Sequence, residues 1–152
     1  MSNIKIRIFI FCVIVIYLPA CAVLGLQKNA LITAAMEGDL AKTEALVSKT
    51  VEINRVNEEQ QFALLEASSN GNLEIVKLLV ENGADVNLAN KAGMTALMGA
   101  ASAGNESVAN YLIENGADLK MADKEGLSAL HFAAESDDPG VIQLLIDNGA
   151  QV

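Results

Sequence analysis

Between residues 73 and 83 the chain reads LEIVKLLVENG, in which Leu73, Val76 and Val80, flanked by Ile75 and Leu79, recur at intervals of three and four. That spacing predicts an amphipathic helix with one buried stripe. Upstream of the equivalent segment in the next stretch of chain lies ALMGAASA at 96–103, a helix of small residues. Small side chains on a helix allow its neighbours to press close, so a pair of short helices is expected, one small-faced and one aliphatic.

The pair repeats. ENGAD occurs at 81–85 and again at 114–118, and DNGAQ stands at 147–151. A shift of 33 residues aligns Leu31, Leu64, Leu97 and Leu130 without insertion, and likewise Ala34, Ala67, Ala100 and Ala133. Leu46, Leu79, Leu112 and Leu145 follow the same period. A fixed period of this length marks stacked structural repeats, each too small to bury its own stripe.

The segments KAGMTALMGAASAGNESVANYLIENGADL and KEGLSALHFAAESDDPGVIQLLIDNGAQV resemble ankyrin repeats, whose pattern runs G-x-T-P-L-H-x-A-A, then a paired-leucine helix, then G-A-D-V-N. The resemblance covers residues 29–152 in four units, at 29–57, 58–90, 91–123 and 124–152. It implies an all-α solenoid of stacked helix-turn-helix units joined by short β-hairpin-like turns. One departure is uniform: the proline after the threonine is alanine in every unit, at Ala30, Ala63, Ala96 and Ala129. Alanine is an excellent helix former, so the exchange leaves the expected fold unchanged.

Local signals agree with this division. Asn29, Thr95 and Ser128 stand where first helices begin and carry side chains that can cap free N–H groups, whereas Phe62 cannot. Asn72, Asn105 and Asp138 are expected to cap the second helices, with Pro139 at the first helical position. Gly104 suits the left-handed exit from a first helix, and Gly83 and Gly116 the exits from second helices. In the first unit Lys42 and Thr43 replace the apolar pairs Ile75–Val76 and Val141–Ile142, which predicts a polar outer face for an N-terminal cap. The fourth unit keeps its apolar pair, so its outer side is either solubilised by Glu135, Ser136, Asp137 and Asp138 or covered by another chain.

Ahead of the repeats, MSNIKIR places two positive charges before the apolar run IFIFCVIVIYL, and Pro19 and ACA follow. This is the layout of an export signal over residues 1–21, with 22–28 as a linker. Three fates fit. LPAC at 18–21 resembles the lipobox of bacterial lipoproteins, with Pro19 as a departure, which would make Cys21 a lipidation site. ACA also reads as an ordinary cleavage site, and residues 8–26 carry no charge, long enough to span a bilayer uncleaved. Each fate keeps Lys5 and Arg7 inside and exports the remainder, to the periplasm or envelope in a bacterium and to the secretory pathway in a eukaryote. Lipidation or retention would attach the protein to the membrane. A linker of 22–28 reaches at most about 25 Å, so the repeats would stay near the bilayer.

Charge narrows the partners. The whole chain has a formal net charge of −9, and the first acid is Glu37. Without Lys5 and Arg7 the remainder sets eight basic residues against 19 acidic ones, a charge of −11. Such a surface disfavours nucleic acid and anionic headgroups and suits a basic protein partner. Both cysteines, Cys12 and Cys21, lie in the leader, so the repeats carry no thiol for a disulfide, a metal or a nucleophile. His131 is the one histidine, and in the ankyrin motif this residue bonds within its own turn, with Ser128 three positions earlier as partner. Glu58–Glu59 and Asp137–Asp138 fall in turns and read as solvated acids, not hydrolytic pairs. No phosphate-cradling glycine loop occurs. The expectation is a non-enzymatic protein without cofactor.

By resemblance, the partner-contacting positions are the turn residues and the exposed ends of the first helices. These are Glu58, Glu59 and Gln61 in the second unit, and Lys91, Ala92, Met94, Ser102 and Ala103 in the third. The fourth offers Lys124, Glu125, Leu127, Glu135 and Ser136. Met94 and Leu127 are expected to be apolar anchors at exposed tips. The reading is an exported module that binds and stabilises or positions a partner protein; an inhibitor or immunity protein neutralising a periplasmic toxin is the alternative, for which the negative charge would speed encounter with a basic toxin.

Overall fold

The computed structural model describes residues 29–49, 52–136 and 138–151. The leader, the linker, Cys21 and Asp137 lie outside these residues, so the expectations placed on them do too. Among the described residues no helix is long and apolar enough to cross a membrane.

Among the described residues eight helices alternate in four pairs: α1 (Ala30–Glu37) with α2 (Leu40–Val47), α3 (Ala63–Ser69) with α4 (Leu73–Glu81), α5 (Ala96–Ser102) with α6 (Glu106–Glu114), and α7 (Ala129–Ser136) with α8 (Pro139–Asp147). First helices stack on first helices from α3 to α7, and second on second from α2 to α8. The 33-residue register is therefore a packing register. Ala34, Ala67, Ala100 and Ala133 are fully buried, as are Leu79, Leu112 and Leu145. Each of those leucines anchors the aliphatic stripe of its second helix, and truncation to alanine at such a site costs about 2–5 kcal/mol.

The first helices nest closely because of what they lack. A Cβ on Gly99 of α5 would stand 2.5 Å from Ser69 Oγ and 2.8 Å from Leu65 Cδ1, both on α3. Between helices of a pair, Gly104 turns the chain at φ +68°, a left-handed conformation that glycine adopts without steric penalty.

The capping expectations divide. Thr95 caps α5 by accepting from Met98 N–H at 3.3 Å, and Asp138 caps α8 by accepting from Gly140 N–H at 2.8 Å. Phe62 precedes α3 without a side-chain cap, as its chemistry requires. Asn72 and Asn105 stand at the N-cap positions of α4 and α6 but make no capping bond. Their amides turn back to the preceding repeat instead, Asn105 Nδ2 donating to Ser68 O at 2.9 Å and to Ser69 O at 3.0 Å. An amide can donate where a carboxylate cannot, which is why asparagine and aspartate in one register slot do different work. The Ser128 hydroxyl likewise goes to His131 Nδ1 at 2.9 Å, the partner expected for that histidine.

The first unit corrects another expectation. Lys42 is exposed and pairs with Glu37 at 3.2 Å, as a polar face should. Thr43 is fully buried, its hydroxyl donating to Asp39 O at 2.7 Å. Threonine can face a core because its methyl packs while its hydroxyl folds back on the helix. In the fourth unit the outer side is apolar: Ile146 is 50% exposed and borders a cleft of about 250 Å³ with Leu130, Ala134 and Ile142.

Candidate protein-binding face

Three turns precede α3, α5 and α7, and each is organised by one side chain. Asn90 Oδ1 accepts from Ala92 N–H at 2.9 Å and Met94 N–H at 3.0 Å. Asp123 Oδ1 accepts from Glu125 and Leu127 N–H, both at 2.9 Å. Asn57 Oδ1 accepts from Gln61 N–H at 2.8 Å. A short Asx side chain thus satisfies the turn's backbone donors and holds its tip outward. Regular strand is nearly missing: among the described residues the β-structure is an isolated antiparallel bridge between Ala122 and Ser128.

Consecutive tips are tied edge to edge. Asn90 Nδ2 donates to Gln60 O and Lys91 N–H to Gln60 Oε1, both at 2.9 Å. Lys124 N–H donates to Ala92 O at 2.9 Å. At this second contact the chains approach so closely that a Cβ on Gly93, at φ +88°, would lie 2.7 Å from Asp123 Cα. The equivalent tip position in the second unit is Gln60, which holds φ +64° with a side chain present. Its carboxamide, spent on Lys91, offsets part of that strain.

At the second tip, Gln61 Nε2 reaches Met36 Sδ at the end of the preceding first helix, α1, at 3.9 Å. The tips and first-helix ends make up the face to which the sequence points. Glu58, Glu59, Lys91, Ala92, Ser102, Ala103, Lys124, Glu125 and Glu135 are exposed on it. The other four expected residues are less available. Gln61 is half-buried and its Oε1 accepts from Asn57 Nδ2 at 3.0 Å. Ser136 is half-buried and donates to Ala133 O at 2.8 Å. Met94 is half-buried and packs against the core, and Leu127 is half-buried, so neither is the protruding anchor expected of it. In both, the Asx side chain holds the backbone N–H of the residue at i+4 beneath the turn.

The face is polar and of mixed sign. A cleft of about 300 Å³ between the second and third tips is lined by Arg55, Asn57, Glu58, Gln60, Asn90 and Lys91. Arg55 Nη1 pairs with Glu52 at 3.1 Å, while its Nε is buried without an acceptor among the described residues. Beneath the tips, burial pushes the Glu66 carboxyl above the usual carboxylate range, and a hydrogen bond from Gln61 opposes the shift. Among the described residues no cluster of three or more His, Cys, Asp or Glu is placed to hold a metal.

Asn54 and Asn87 were missed by reading motifs. Asn54 Oδ1 accepts from Asp85 N–H at 2.7 Å, and Asn87 Oδ1 from Asp118 N–H at 2.8 Å. Their amides donate to Gly83 O and Gly116 O at 3.2 and 3.0 Å. The two residues stand 33 apart, and that recurrence was the available signal.

No curated protein matches the chain. A family model described as ankyrin repeats (3 copies) matches residues 14–90 and again 86–152. With paired helices at a 33-residue register and tips aligned along one face, the chain belongs to the ankyrin-repeat family, whose stacked repeats are protein–protein interaction modules.

Proposed function

We propose that this ankyrin-repeat protein is exported and uses the row of turn tips and first-helix ends to bind and hold a partner protein in the envelope or secretory space. The observation that carries the reading is the continuous, exposed and polar row from Glu58 to Lys124, fixed by bonds between tips and so organised before any partner arrives. The acid excess of the repeats supports a basic partner surface, with Lys91 and Lys124 as local points of opposite sign that set register. Export rests on the basic-then-apolar leader, with attachment through Cys21 or through a retained helix.

Two measurements test the two halves. Crosslinked capture from the native envelope, repeated with Glu58→Lys/Glu59→Lys/Glu125→Lys, should lose the partner with the reversed charges while circular dichroism stays helical. Capture unchanged by the triple variant would defeat the face assignment. A reporter active only outside the cytosol, fused after residue 49, should be active; an inactive reporter would defeat export. Membrane attachment that survives Cys21→Ser would point to a retained helix in place of lipid.

A further inference from the structure

We infer that the cleft between the second and third tips is a seat for a single carboxylate, supplied by an aspartate or glutamate of the bound protein and held between Arg55 and Lys91. The inference rests on the reading of the tip row as the partner-binding face, and it names what one point of that face recognises.

The cleft exists because of one residue. Gln60 occupies the register slot filled by Gly93 and Gly126 in the next two units. At the third and fourth tips a Cβ in that slot would lie 2.7 Å from Asp123 Cα. Those tips meet backbone to backbone, Lys124 N–H donating to Ala92 O. At the second and third tips Lys91 N–H donates instead to the Gln60 side chain, at Oε1. A carboxamide thus stands between two turns that otherwise touch, and about 300 Å³ opens beside it. The arrangement holds Gln60 at φ +64°, and backbone strain of that kind gathers at ligand-binding sites.

Donors and acceptors in the cleft do not balance. Asn57 Oδ1 is taken by Gln61 N–H, Asn90 Oδ1 by Ala92 and Met94 N–H, and Gln60 Oε1 by Lys91 N–H. The amide oxygens are therefore committed to the turns. On the donor side, Arg55 Nε is buried without an acceptor among the described residues, and the Lys91 ammonium forms no ion pair among them. A buried, charged N–H left unmet is destabilising. The element that completes the cleft is an acceptor, and beside two cations the strongest one is an anion. Glu52 holds Arg55 Nη1 at 3.1 Å but is 78% exposed, so that pair is weak and lets the guanidinium turn its Nε edge to an incoming carboxylate.

Charge sets the class of ligand. Arg55 and Lys91 against Glu58 leave one net positive charge among the lining residues, which matches a carboxylate and falls short of a phosphate dianion. Between the third and fourth tips Leu88 stands in the place of Arg55, so the row carries this seat at one position. An acid there fixes the register in which an otherwise basic partner meets the surrounding acids.

Heteronuclear NMR of the full chain in detergent micelles, titrated with N-acetylglutamate methylamide, tests the seat without any partner. The Arg55 Nε–H resonance is expected to shift and to saturate in the millimolar range, while the glutamine analogue leaves it in place. Lys91→Gln should weaken the glutamate probe about threefold to tenfold. Gln60→Gly, which lets the tips close as they do at Gly93, should weaken it about tenfold, with amide resonances of the helices unchanged. No shift, equal shifts from the two probes, tighter binding of inorganic phosphate than of the glutamate probe, or indifference to Gln60→Gly would overturn the inference. Capture with the reversed tip acids reads a different thing: its failure removes the face, and failure of the titration removes the seat alone.

Discussion

Asn105 belongs to the third repeat but spends its side-chain amide on Ser68 of the second, donating to the carbonyl at 2.9 Å. One residue thereby closes the exposed end of α3 and fixes the distance between two repeats. Asn105→Asp keeps the shape, gains a possible N-cap and sets a negative charge against two carbonyl oxygens. We expect a net loss of about 1–2 kcal/mol, read as a lower urea midpoint with unchanged slope. An unchanged midpoint would mean that the amide contributes nothing across the junction.

Ser68 itself is fully buried, and its hydroxyl has no hydrogen-bond partner among the described residues. The equivalent positions in the flanking repeats, Ala35 and Ala101, are fully buried alanines. Ser68→Ala removes an unsatisfied polar atom from an apolar site and should stabilise the protein by about 1 kcal/mol. Thermal melting checks it; destabilisation would show that the hydroxyl has a partner.

At the tip of the second repeat, Gln60 adopts φ +64° and accepts from Lys91 N–H. Two variants separate strain from bonding. Gln60→Ala keeps the strain and loses the bond, while Gln60→Gly loses both. The glycine variant should exceed the alanine variant by about 1 kcal/mol, and denaturant titration of the pair gives the difference directly.

The Glu66 carboxyl is held above its ordinary range by burial. The folded protein therefore binds this proton more readily than the unfolded chain does. Its contribution to stability grows as pH falls through the carboxylate range and is lost as pH rises above it. Glu66→Gln should stabilise slightly at neutral pH and flatten the melting temperature between pH 7 and 5. Because the group is partly solvated, the gain is small. A wild-type profile already flat over that interval would remove the effect.

The repeat period was legible because core positions must recur wherever identical units stack: Leu79, Leu112 and Leu145 are 33 apart in sequence and equally buried. Helix starts at Ala96 and Ala129 were legible from the residues just before them. The polar joints were harder to read. Asn54 and Asn87 look like solvated loop residues, since composition does not say whether an amide meets water or the next repeat. Thr43 misled because a hydroxyl signals surface unless its backbone acceptor is known. Met94 misled because a tip position implies exposure until the side chain is seen to pack against the core. In each case the deciding contact lies along the stacking direction or inside a turn, and periodicity cannot resolve it.

Gly99 carries a consequence for recognition at a distance. With a bare backbone against Leu65 and Ser69, α5 packs closely on α3, and the third tip is bonded to the second through Gln60. A methyl group at that site would act as a wedge driven between the two helices, splaying the tips that a partner must span. The grip of the protein would then change without any alteration to the residues that touch its target.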